Sequence, residues 1–141
     1  MSQRYLELAM DELGVHETGG SAATDRIVGY AKHTTLKATS DEIAWCSSFA
    51  NYIVDTAGDL GTHSAAAKSW LNWGVVLSDP VAGCIVVIDR HDTSNPNAAH
   101  VTFFVCEDAE GHIQCVGGNQ GDRVKMSVFP KSKVLGYRDR A

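Results

Sequence analysis

At 141 residues the chain is about one domain's worth, long enough to bury a core of its own. Apolar residues make up 44% and charged residues 21%, which argues against disorder, and the net charge of -5 leaves no basic field to hold nucleic acid or an anionic membrane surface. No apolar run approaches the roughly 20 residues that cross a bilayer, so no membrane insertion is expected.

The first half reads helical. Tyr5, Leu6, Leu8, Ala9 and Leu13 recur at helical spacing, and Gly14 supplies a stop. Glu7, Asp11 and Glu12 interrupt that segment in a way a secretory signal core would not tolerate, so no signal peptide is expected. After a loop over 17–21, Thr24 or Asp25 caps a short helix through Ile27, Val28, Tyr30 and Ala31. A polar loop over 33–42 leads into a helix over 45–56, with Phe49, Ala50, Ile53 and Val54 as its buried stripe and Gly58 after it. Ser64 is expected to cap a further helix through Ala65, Ala66, Ala67, Trp70 and Leu71, which Gly74 terminates.

The second half changes period. Residues 84–89, 100–107, 112–117 and 124–129 are short β-rich runs, separated by turn chemistry at 92–97, 108–111 and 117–122. Helices first and strands afterwards predict an α+β fold, with N-terminal helices packed on an antiparallel β-sheet. Residues 1–141 show no internal repeat and no linker, so a single domain is expected. The C-terminal cluster Lys131, Lys133, Arg138 and Arg140 is interleaved with apolar residues, which reads as a solvated last strand rather than a binding patch.

The four cysteines are irregularly spaced in a chain that needs no staples, so free thiols are expected. Cys84, Cys106 and Cys115 lie in apolar runs and read as small core residues. Cys46 differs. Ala44-Trp45-Cys46-Ser47-Ser48-Phe49 places it at the opening turn of a helix, where unpaired amides and the helix dipole favour a thiolate and can hold an oxyanion. The competing reading is a buried helix cysteine.

Among the histidines, His16, His33, His63, His91 and His112 fall in loops or turns. His100 instead opens the apolar run His100-Val101-Thr102-Phe103-Phe104-Val105, where an imidazole needs partners. Cys46 on one ring nitrogen and a polar group from the next strand on the other would satisfy it. Asn119, in Gly117-Gly118-Asn119-Gln120, is the first candidate for that orienting group. Its competing reading is a plain turn. Gln120 is the second candidate, or else a substrate contact. Asp41 and Glu42 stand where they would stabilise the start of the Cys46 helix, the alternatives being a substrate contact or a place in solvent. No paired ligands at zinc spacing, no phosphate loop and no serine elbow are present, so neither metal nor cofactor is expected.

A cysteine helix, then a histidine strand, then a polar orienter is the order of the papain-like cysteine hydrolases. Gly14-Val15-His16-Glu17, Trp45-Cys46-Ser47-Ser48-Phe49-Ala50-Asn51 and Ala67-Lys68-Ser69-Trp70-Leu71-Asn72-Trp73-Gly74 narrow this further. So do Pro80-Val81-Ala82-Gly83-Cys84-Ile85-Val86-Val87, His100-Val101, Gly117-Gly118-Asn119-Gln120 and Leu135-Gly136-Tyr137-Arg138. Together they resemble the CHAP/NlpC-like peptidoglycan hydrolases, especially a compact branch found in phage endolysins. The resemblance covers almost the whole chain.

It implies a papain-like fold, with Cys46 as nucleophile, His100 as general base and acid, and Asn119 as the orienting group. It implies hydrolysis of an amide bond in bacterial peptidoglycan through a thioester, by a monomer without a separate wall-binding domain. Such an enzyme is made in the host bacterial cytoplasm and acts in the periplasm or cell wall during host lysis. Two departures stand out. Cys84 occupies a position that is often acidic in relatives, and the acidic calcium loop of some CHAP enzymes is not recognisable. Trp45, with Trp70 and Trp73, is a candidate for lining a glycan groove, although core packing suits Trp70 better. Rival readings are a secreted wall-degrading effector, a cysteine acyltransferase or deamidase, and a catalytically silent wall-binding module.

Overall fold

The computed structural model describes residues 3–15, 29–30, 45–64, 66–90, 99–118, 120 and 123–140. The short helix expected near Ile27, the loop over 33–42, Asp41, Glu42 and Asn119 lie outside the described residues, Gly29 and Tyr30 excepted.

Among the described residues two full α-helices precede the sheet, α1 at Gln3–Asp11 and α2 at Cys46–Thr56, and Gly29 and Tyr30 between them are also helical. Helix α1 buries Tyr5 and Ala9 and ends ahead of Gly14, whose φ of 96° only glycine adopts readily. Helix α2 buries Phe49, Ala50, Ile53 and Val54, the stripe expected from spacing. It stops in a glycine cap, with Gly58 at φ 91° and the Asp59 amide bonded back to the Val54 carbonyl at 3.1 Å.

Six antiparallel strands follow: β1 Val75–Leu77, β2 Ile85–Asp89, β3 Ala99–Glu107, β4 His112–Gly117, β5 Lys125–Pro130 and β6 Val134–Asp139, in the order β1-β6-β2-β3-β4-β5. The fold is α+β. One core lies between the helices and the sheet and contains Tyr5, Phe49, Ile53, Trp70, Val87 and Phe103. A second, on the opposite face, contains Cys84, Val86, Ile88, Phe104 and Cys115, with Leu77, Phe129 and Val134 packed over it. Strand β2 is buried on both faces, which is why Ile85-Val86-Val87-Ile88 is apolar without alternation. Among the described residues no helix is long and apolar enough to cross a membrane.

Several local expectations change. The helix expected from Ser64 is a short 3-10 helix, Ala67–Asn72, preceded by an extended Ala66. Gly74 follows its C-cap residue Trp73 with φ 62°, and a Cβ there would also strike the Asp139 carbonyl, so glycine is needed where β1 meets the end of β6. The last strand is not a solvated edge, because β6 sits between β1 and β2. Arg138 is half-buried and donates to the Leu71 carbonyl through Nε (3.1 Å) and Nη2 (2.9 Å), tying β6 to the 3-10 helix. All four cysteines are free, but Cys106 is exposed instead of buried. A register shift between Phe104 and Cys106 in the β3–β4 pairing interrupts the run just before it.

Candidate active site

The loop that follows α2 is held by one amide. Asn51, fully buried, accepts from the His63 backbone N–H at 2.8 Å and donates to the Ser47 and Ser64 carbonyls at 3.1 and 3.2 Å. Ser47 donates to the Ser64 carbonyl at 2.6 Å and accepts from the Trp70 indole at 3.0 Å. Ser47 and Asn51 are therefore consumed in internal bonds, which fix the helix start where Cys46 stands.

Cys46 is the first residue of α2, and its N-cap, Trp45, makes no side-chain cap bond. The first-turn amides thus have no side-chain acceptor from the cap position. The cysteine keeps 8% of its exposure and His100 keeps 1%. Burial pushes the Cys46 thiol up, but this is outweighed by the nearby His100 imidazole, the Val101 backbone amide and the Arg90 charge. The thiol ends below its ordinary value. Sulfur and imidazole therefore share one site, at the start of β3.

His100 is the second residue of β3, registered opposite Ile88 of β2. Its Nε2 lies 3.0 Å from Gln120 Oε1. The orientation of that amide is dictated by its other end, which lies 2.7 Å from the Lys125 carbonyl and 3.3 Å from the Cys115 carbonyl. Carbonyls only accept, so that end must be the NH2 group and Oε1 must face His100. An acceptor at Nε2 requires a proton on Nε2. Nδ1 is then the unprotonated nitrogen of the neutral ring, and among the described residues it makes no well-formed hydrogen bond. Nδ1 is thereby the ring nitrogen with its lone pair available to act as a base. Catalytic hydrogen bonds are often long until substrate binds.

Thr102 donates to the same Gln120 oxygen at 2.7 Å, so both lone pairs and both N–H groups of the amide are used. Glycine at 117 makes room for this arrangement: a Cβ there would lie 2.5 Å from Thr102 Oγ1 and 2.7 Å from Gln120 Oε1. At Gly118 a Cβ would collide with Trp45 and Phe49. The Gly-Gly pair marks close approach, not merely a turn.

No family model, curated protein or solved structure matches the chain. The chemistry rests on the geometry.

Gln120 is 5% exposed with its amide fully bonded inside the protein, so it is placed to orient His100. One sequence reading needs correction. Trp45 is 2% exposed, with its ring centroid 5.8 Å from that of Tyr30, so it packs in the core and offers no face to a glycan. Trp70 is fully buried, while Trp73 is half-buried and donates to the Leu60 carbonyl at 2.8 Å. Thr102 and Arg90 were missed by sequence reading. Thr102 had a signal: it is the polar residue two positions from His100 in an apolar strand, hence on the same face. Arg90 had none. Among the described residues no cluster of three or more His, Cys, Asp or Glu is arranged to hold a metal.

Proposed function

We propose that the protein is a papain-like cysteine hydrolase that cleaves an amide bond of bacterial peptidoglycan. The observation that carries the chemistry is the fixed tautomer of His100. A fully bonded Gln120 amide holds the proton on Nε2 and leaves Nδ1 as the base beside Cys46. The order of parts also supports the papain-like reading, with a cysteine at the start of a helix, a histidine at the start of a later strand and an amide after the next strand. The wall as substrate is supported by the resemblance of the stretches around these residues to CHAP/NlpC-like hydrolases.

In this mechanism His100 Nδ1 takes the Cys46 proton and the thiolate attacks the amide carbonyl. The oxyanion is stabilised by the Cys46 backbone N–H at the start of α2. The imidazolium gives its proton to the leaving amine as the C–N bond breaks, leaving a thioester. Water then attacks with His100 as base, the acid departs, and the proton returns to sulfur. Gln120 takes no proton; it keeps the ring in one orientation, as the third member of such triads does.

The test is digestion of purified sacculi by the parent chain and by Cys46→Ala, with mass spectrometry of the soluble fragments. The parent should release peptides and the variant none, at matched thermal stability. Release of the same fragments by Cys46→Ala refutes the assignment, and identification of the new termini names the bond cut.

A further inference from the structure

A cavity of about 460 Å3 opens on the sheet side of His100, within the roughly 300–1,000 Å3 range of small-ligand sites. His100 and Gln120 line it, whereas Cys46 does not. Two cations converge on it from different parts of the chain: Arg90 follows the last residue of β2, and Lys133 ends the turn between β5 and β6. Both are exposed, and neither forms an ion pair or side-chain hydrogen bond among the described residues. Their neighbours differ: Lys131 is bonded to Glu107, Arg138 to the Leu71 carbonyl and Arg140 to Asp59. In a chain with 17 acidic and 12 basic residues, two unmatched cations around one cavity run against the average. Among the described residues Asp89 is the one carboxylate in the lining, so that part of the wall is cationic on balance. The remaining wall is Ser127 and the apolar Ile88, Val128, Phe129 and Pro130, with the Phe129 ring 5.5 Å from the His100 ring and tilted by 35°.

We propose that this cavity is a subsite for a short peptide bearing a free carboxylate, with Arg90 and Lys133 holding the anion and Phe129 covering an aliphatic side chain. As a subsite of the reaction it rests on the hydrolase reading, since stem peptides of peptidoglycan are short, aliphatic and rich in carboxylates. It gives the substrate a register: a carboxylate anchored beside Arg90 sets which amide reaches Cys46. Arg90 links the two places, because its charge is also felt at the Cys46 sulfur. Arg suits such a role, since its guanidinium can grip a carboxylate through two parallel hydrogen bonds.

The test is titration calorimetry on the full chain carrying Cys46→Ala, which blocks turnover and removes the thiol on which Arg90 also acts. The probes are N-acetyl-D-alanyl-D-alanine and its C-terminal amide. The acid should bind at least tenfold more tightly than the amide, and its affinity should fall with rising salt. Arg90→Gln and Lys133→Gln should each weaken the acid several-fold and leave the amide unchanged. Both side chains are exposed, so these variants should fold normally. Equal binding of acid and amide, no binding of either, or undiminished acid binding by both variants overturns the subsite. Failure of the hydrolase reading gives a different pattern: acid-selective binding with no cleavage of sacculi by the parent chain leaves the subsite and removes its reaction.

Discussion

Replacing Gln120 with methionine keeps the length of the side chain and removes its amide, which isolates the orienting role from packing. Four hydrogen bonds disappear: those to His100, Thr102, Cys115 and Lys125. At about 1 kcal/mol net for each, the loss is about 4 kcal/mol, against a stability of about 5–15 kcal/mol for a natural domain. The variant should therefore fold, with a melting temperature lower by roughly 12–16 °C at about 3–4 °C per kcal/mol. The chemical loss should exceed what instability explains. Without an acceptor at Nε2 the ring is free to carry its proton on Nδ1 and to rotate, and general acid–base catalysis is worth on the order of 10²–10⁴-fold. Wall hydrolysis well below the melting transition should fall by that order. An independent readout is the pH profile of Cys46 alkylation by iodoacetamide in a Cys106→Ser background, where Cys46 is the thiol within reach of reagent. The thiolate should form at lower pH in the parent than in Gln120→Met. A folded Gln120→Met protein with the parental alkylation profile and parental hydrolysis refutes the orienting role.

Gly117→Ala should disturb the same network from outside, since its Cβ would meet Thr102 Oγ1 and Gln120 Oε1 at 2.5 and 2.7 Å. A loss of about 1–3 kcal/mol by urea unfolding, together with slowed hydrolysis, is expected, and an unchanged variant would show that the site is slack. Asn51→Ala strands the His63 amide and the Ser47 and Ser64 carbonyls, and should cost roughly 2–4 kcal/mol by urea denaturation. The thiols should give opposite pH signatures. Cys46, held below its ordinary value of 9.0, binds fewer protons folded than unfolded, so its contribution is full above that value and is lost as pH falls through the folded value. Cys84 is pushed by burial from 9.0 to about 11, so its contribution falls as pH rises across that window, by on the order of 2–3 kcal/mol. Urea unfolding from pH 7 to 11 should show the alkaline loss reduced in Cys84→Ala and deepened in Cys46→Ala; the reverse pattern would reject both assignments.

Much of this site was legible locally. A cysteine on the first turn of a helix and a histidine at the mouth of an apolar strand are signals carried by a few neighbouring residues. That the Gln120 amide meets His100 was not, because it depends on where the chain turns after Gly118 and on the carbonyls of Cys115 and Lys125 that grip the amide's other end. Trp45 was misread for a related reason: an aromatic beside a nucleophile looks the same in sequence whether its ring faces solvent or Tyr30. Arg90 and Lys133 lie 43 positions apart along the chain and gave no hint of meeting.

By itself the sequence determined the helices at Gln3–Asp11 and Cys46–Thr56, four strands of the second half and the α+β class, because each follows from the spacing of apolar residues over a few turns or pleats. Only the tertiary structure decided that β6 lies inside the sheet, that Gln120 fixes the His100 tautomer and that two cations flank a cavity beside it. Those facts depend on strand pairing between segments far apart in sequence. Hydrogen bonds and burial are shared there between residues whose separation no local pattern records.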